Sequence, residues 1–203
     1  MGRKKGITDA ELLRVAREVF IEGGAFGSTR DIAARAGISE ATLFKRYTTK
    51  TALFLAAMAP PQPDLEFLFA DVRAQKDPRK ALHILSNRIL GYFRMAIPRM
   101  LPLITHPAIG LDELLRAFGR SPADNLMDAV ADYFAEQHKN GRIATGNPAA
   151  AAALLVAALH SVALFELMGI HGGEVPDAAI RAMLESLWQG MAPAKSAKKG
   201  NPK

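Results

Sequence analysis

Apolar residues recur at intervals of three and four from near the start of the chain. No stretch alternates apolar and polar positions, so the pattern predicts an all-α protein. Leu12, Val15, Ala16, Val19 and Phe20 form the first stripe, opened by the Thr8–Glu11 cap and stopped by Gly23 and Gly24. Two shorter stripes follow. Ser28, with Asp31 at the third helical position, opens the first, which turns Ile32, Ala33 and Ala36 inward and meets Gly37, a residue able to close a helix in the left-handed conformation. Ser39 caps the second, and Ile38 and Leu43 are spaced to fix its entry angle. Two short helices joined this tightly, with small alanines at the crossing, form a helix-turn-helix whose second helix can enter a DNA major groove. Between the first stripe and Ser28 the connection is tight, and Phe26, its one large apolar residue, is expected to plug the small core.

Thr49 caps a fourth helix through Leu53, Phe54 and Met58, after which Pro60, Pro61 and Pro63 interrupt the chain. Beyond them the spacing predicts a short helix on Leu65, Leu68, Phe69 and Val72. Next comes a helix opened by Asp77-Pro78, carrying Leu82, Leu85, Ile89, Tyr92 and Phe93. Pro98 and Pro102 are expected to bracket a broken segment. Further stripes place Leu111, Leu114, Leu115 and Phe118 on one side of a short helix, then Leu126, Met127, Val130, Phe134 and His138 on a longer one opened by Ser121-Pro122 and closed by Gly141. The most apolar helix runs from Asn147-Pro148 to about Met168, and the last from Pro176 to Trp188. The domain reading is a helix-turn-helix domain over 1–50, a helical body over 51–190 and a basic tail over 191–203.

The helix from Pro148 is apolar on nearly all sides, whereas a surface helix shows one apolar stripe. It needs neighbours on both sides: a second copy in a twofold dimer, or flanking helices in a monomeric bundle. As a membrane span its Ala149–Phe165 core falls just short of about 18 residues and runs straight into Glu166, so a buried or interface helix is the better reading, with no membrane partner.

Charge sharpens the picture. The net +6 is distributed unevenly: residues 1–50 hold ten Lys/Arg against six Asp/Glu, residues 51–190 twelve against fourteen, and residues 191–203 four lysines with no acid. The basic excess thus coincides with the helix-turn-helix and with the tail, as nucleic-acid binding requires. The chain has no cysteine, which excludes disulfides, thiolate catalysis and cysteine-ligated zinc and fits a cytoplasmic, reducing compartment; no secretory signal is visible. The histidines at 83, 106, 138, 160 and 171 show no metal-ligand spacing, and no phosphate-cradling loop follows a strand, so neither an enzyme nor any cofactor or metal is expected.

The run from Phe20 to Gly24, then I-A-A-R-A-G-I-S-E-A-T-L-F-K-R-Y over Ile32 to Tyr47 with Lys50 just beyond, resembles the TetR family of bacterial transcriptional regulators. The resemblance implies nine or ten helices, comprising an N-terminal three-helix helix-turn-helix domain and a C-terminal ligand-binding and dimerisation domain whose last two long helices pair in a homodimer. It also implies a repressor that binds a palindromic operator in double-stranded DNA and is released by a small-molecule effector. The chain departs from the family pattern at Gly27, where threonine is usual, at Phe44, where tyrosine is usual, and at Thr51, where an acid is common.

Residue by residue, Ala41 and Thr42 are candidates to read thymine methyls or backbone oxygens, with Ser39, Glu40, Phe44 and Lys45 beside them. Lys50 is a phosphate candidate at a helix N-terminus, and Ser28, Thr29 and Arg30 could grip the opposite strand. Arg46, like Arg35, is as readily an intrachain pair as a phosphate contact, and Leu43 and Tyr47 face the core. A largely apolar effector pocket would draw on Tyr92, Met95, Met100, Leu103, Phe118, Phe134, His138, His160 and Phe165. The rival reading is an architectural DNA-binding protein without an effector, which basic ends and helices alone would serve.

Overall fold

A computed structural model of the protein describes residues 7–119 and 122–191. Among these are ten α-helices and no strand: α1 Asp9–Gly23, α2 Thr29–Arg35, α3 Glu40–Arg46, α4 Lys50–Met58, α5 Leu65–Phe69, α6 Pro78–Ile104, α7 Leu111–Phe118, α8 Pro122–Lys139, α9 Pro148–Leu167 and α10 Asp177–Met191. The basic arm before Ile7, Ser121 and the lysine tail beyond Met191 lie outside the described residues. The chain divides into two compact units: a head of residues 1–62 and 95–121, and a body of residues 63–94 and 122–203.

The head is built around α1. Its Thr8–Glu11 box closes in both directions: the Thr8 hydroxyl accepts from the Glu11 amide, and the Glu11 carboxylate accepts from the Thr8 amide at 2.9 Å. Leu12, Val15, Ala16, Val19 and Phe20 all point into one core with Ile32, Ala33, Leu43, Leu53 and Phe54. Each fully buried aliphatic or aromatic side chain there contributes on the order of 1.5–3 kcal/mol. Phe20 and Phe54 meet edge to face with centroids 5.0 Å apart.

Two expectations about the head fail. Phe26 is 85% exposed rather than a core plug. The backbone at Gly27 lies so close over Phe20 that an added Cβ would fall 2.7 Å from its ring, which leaves no inward space beside it. Helix α6 runs unbroken through Pro98 and Pro102. Each proline removes only its own N–H from the ladder, and burial of Ile97 and Leu103 holds the segment helical despite that loss. Helix α7 forms with its four apolar residues on one side, as expected; of these Leu114 and Phe118 pack on the head core, while Leu111 and Leu115 are exposed.

In the body, Asp64 caps α5 and Arg88 closes its far end, donating to the carbonyls of Phe67 (3.0 Å), Leu68 and Ala70. The chain then turns through Asp71, whose φ of 59° lies in the left-handed region. Asp77 caps α6 through the amides of Arg79 and Lys80. Leu82, Leu85, Ile89, Tyr92 and Phe93 are buried along that helix, as the spacing predicts.

Helix α9 packs on α8 and buries Ala151, Ala152, Leu155, Val156, Leu159 and Ala163. Its opposite side, with Leu154 65% and Met168 61% exposed, is apolar and uncovered among the described residues. Although α9 is long and apolar enough by composition to cross a membrane, one of its faces is committed to this packing.

Candidate nucleic-acid interface

Each helix of the helix-turn-helix starts on a side-chain cap. The Ser28 hydroxyl accepts from the Asp31 amide at 3.4 Å, and the Ser39 hydroxyl accepts from the Thr42 amide at 3.2 Å. The return half of the expected Ser28 box is not made. Asp31 turns to Arg35 at 3.0 Å instead, because a guanidinium one helical turn away is the stronger partner. Gly37 takes φ 66°, the left-handed residue that lets α2 stop and α3 start within a few residues. Leu43 is fully buried, with Ile38 and Tyr47 packed at the edge of the same core, so the register of α3 is fixed from beneath.

That register sets the outward surface. Ala41, Thr42, Phe44 and Lys45 are exposed on α3, and Ser28 and Arg30 are exposed at the start of α2. The Thr42 and Ser39 hydroxyls lie 2.9 Å apart, so the Thr42 side chain is held to the cap. Among the described residues neither Lys45 nor Arg30 makes an ion pair, leaving both charges available. Lys50 is half-buried at the first position of α4, whose Thr49 cap accepts from Ala52 at 2.9 Å.

Other candidates are engaged within the chain. Thr29 donates to the Glu40 carboxylate at 2.8 Å, and Arg46 reaches Asp9 at 3.0 Å. Arg35 grips both oxygens of Glu22 as well as Asp31; these contacts hold its guanidinium above its ordinary value and Glu22 below. Sequence reasoning found none of these partners, since they lie 11, 37 and 13 residues apart and carry no local pattern. His106, against Phe54 at 4.7 Å, is held below its ordinary value first by burial and then by the charge of Lys50.

The nine residues read as an effector pocket are scattered over several roles. Leu103 and Phe118 belong to the head core, and Met95 is exposed. In the body, His160 meets Phe93 edge-on at 5.2 Å and Phe93 lies 5.3 Å from Tyr92, so those two candidates share one aromatic cluster. Phe134 packs beside Tyr133, and Phe165 is partly exposed on α9. His138 points outward at the end of α8 and accepts from the Thr145 amide, and Met100 is half-buried. A body cleft of about 530 Å³ is lined by none of the nine.

The sequence profile of the bacterial regulatory proteins of the tetR family matches residues 12–57, the segment that holds α1 to α4. Residues 12–57 are a TetR-family DNA-binding segment. Solved TetR-type structures share the fold of the remainder. A regulator assigned to the family in Mesorhizobium loti MAFF303099 is 22% identical, with a TM-score of 0.70 over 91% of this chain and 96% of that one. FadR from Bacillus subtilis, solved with stearoyl-CoA, is 15% identical, with a TM-score of 0.66 over 90% and 99%. NalD from Pseudomonas aeruginosa, described as a secondary repressor of the MexAB-OprM efflux pump, is 19% identical, with a TM-score of 0.58 over 91% and 96%. No curated protein matches the chain. The family profile thus marks residues 12–57 as a DNA-binding segment of a transcriptional regulator, and the solved structures show a shared fold along the chain.

Proposed function

We propose that the chain is a ligand-responsive repressor that grips a palindromic operator as a homodimer and releases it when a small, largely apolar effector occupies the body. The observation that carries the reading is the one-sided covering of α9. Six of its residues are buried, yet the opposite side exposes Leu154, Phe165 and Met168 at spacings that form one stripe. Helix α10 exposes small residues of its own, Ala178, Ala182 and Ser186, at helical spacing. Burying these faces against their copies is the four-helix arrangement that pairs two heads, which must then reach successive major grooves about 34–36 Å apart.

In each head, Thr42 and Ala41 read bases while Lys45, Arg30 and Lys50 hold phosphates. The apolar character of the effector is supported by the Tyr92–Phe93–His160 cluster, and response to a small molecule by the stearoyl-CoA held in FadR. An effector that favours one spacing of the heads must be antagonised by DNA that favours the other, by linkage.

The test combines sedimentation with selection of duplexes from a random pool. A dimer that enriches a palindrome is expected. A monomer, or equal affinity for selected and random duplexes, overturns the reading; the second result is what an architectural protein gives.

A further inference from the structure

Helices α6 and α10 run antiparallel along the body, pinned at both ends of their shared length. At one end Arg79 pairs with Glu185; at the other Arg94 holds Glu166 through two 2.8 Å bonds, and Glu166 accepts from the Val175 amide just ahead of α10. Between the pins lies the cleft of about 530 Å³, well within the range of small-molecule sites. Ile84, Leu90 and Ile180 give it apolar walls. On α6, Lys80, His83 and Asn87 follow one another at spacings of three and four, so they line one side of the helix, across from Arg181 on α10.

The charges in the cleft are unevenly answered. Its one acid, Asp177, sits at the Arg94 end, where Arg94 is held above its ordinary value chiefly by Glu166, with Glu174 and Asp177 adding to the effect. Towards the other end, neither Lys80 nor Arg181 makes an ion pair among the described residues. Both side chains lie exposed at the rim of the cleft, with no carboxylate paired to answer their charge. Here two unanswered cations, an imidazole and a carboxamide border the same apolar walls.

We propose that this cleft binds a small organic anion, with its carboxylate or phosphate head held by Lys80 and Arg181 and its apolar part against Ile84, Leu90 and Ile180. Arg181 supplies a planar fork and Lys80 a point charge, a pairing that suits an oxyanion. The site lies within the body and is separate from the aromatic cluster, so it stands or falls independently of DNA recognition by the head.

The test uses the full chain and calorimetric titration with octanoate, octyl phosphate and octan-1-ol. Both anions, or the one whose head fits, should bind at least tenfold more tightly than the alcohol. Lys80→Gln and Arg181→Gln should each weaken anion binding severalfold and together at least tenfold, while Lys139→Gln on α8 leaves it unchanged. In the unmodified protein, the His83 ring protons should shift on titration with the favoured anion while those of His138 stay fixed. Equal binding of alcohol and anions, undiminished binding by the double variant, or an unmoved His83 resonance overturns the proposal.

Discussion

The Thr29 hydroxyl donates to the Glu40 carboxylate across 2.8 Å, joining the first residue of α2 to the first residue of α3. Both residues have the position and chemistry to touch DNA, yet each is the other's partner, and the bond fixes the angle at which α3 leaves the turn. Thr29→Val keeps the shape and strands the half-buried carboxylate. It should cost about 1–2 kcal/mol of stability and weaken operator binding without changing the preferred sequence. Thermal unfolding and binding isotherms check both; unaltered stability would show that the bond contributes nothing.

Lys45 and Thr42 lie three residues apart on the exposed part of α3 and should fail differently. Lys45→Ala removes one cation, so affinity should fall for every duplex and the slope of log K against log salt should drop by about 0.9. Thr42→Ala should also redistribute preference among operator variants. A salt series on selected and random duplexes separates the two, and an unchanged slope for Lys45→Ala would rule out its phosphate role.

Leu154, 65% exposed, is the most exposed large apolar residue of α9. Leu154→Glu should leave each chain folded, because none of the described residues covers the site, but should place a charge in the proposed pairing surface. Sedimentation should report a monomer with native helicity, and palindrome affinity should fall more than tenfold.

Gly27 looks like a departure from the family pattern that could be repaired with threonine, yet the geometry forbids it. A Cβ there would sit 2.7 Å from the Phe20 ring and 3.1 Å from the Val19 carbonyl oxygen, in a core where Phe20 is fully buried. Gly27→Thr should destabilise the head by about 1–3 kcal/mol, measured as a lower unfolding midpoint, whereas the same change at exposed Gly91, with open space around it, should not cause that steric loss.

The Arg94–Glu166 pair gives a pH signature. The Glu166 carboxyl is held below its ordinary value, first by Arg94 and then by the Val175 amide, and the carboxylate is almost wholly buried. A carboxyl with a lowered folded value contributes stability that is fully present above its unfolded value of about 4.3 and is lost as the pH falls through the lower folded value. Glu166→Gln keeps an acceptor for Val175 but no charge. It should be less stable than the parent at pH 7, with the gap narrowing as the pH falls below about 4; a gap that stays constant down to pH 3 would contradict the assignment.

Much of the head was legible in the sequence, because caps, glycine stops and helical spacing are local. Thr8, Ser28, Ser39, Thr49 and Asn147 all cap where their patterns place them. What the sequence hid were relationships set by packing. Phe26, the one large apolar residue of its connection, stands exposed beside a backbone pressed close on Phe20, and α6 runs helical through two prolines with Ile97 and Leu103 buried. The α6–α10 cleft escaped notice for a similar reason: Lys80, His83 and Asn87 read as an ordinary polar face until Arg181, about a hundred residues away, comes opposite.

The 2.9 Å contact between the Thr42 and Ser39 hydroxyls also bears on how an operator would be read. That bond engages one of the hydroxyl's hydrogen-bonding positions and leaves the others, so Thr42 can bring to a groove both a remaining polar site and its γ-methyl, a carbon-on-carbon contact. Part of the discrimination at that step would then follow pyrimidine methylation: uracil in place of thymine should be penalised, and 5-methylcytosine in place of cytosine should be partly accepted.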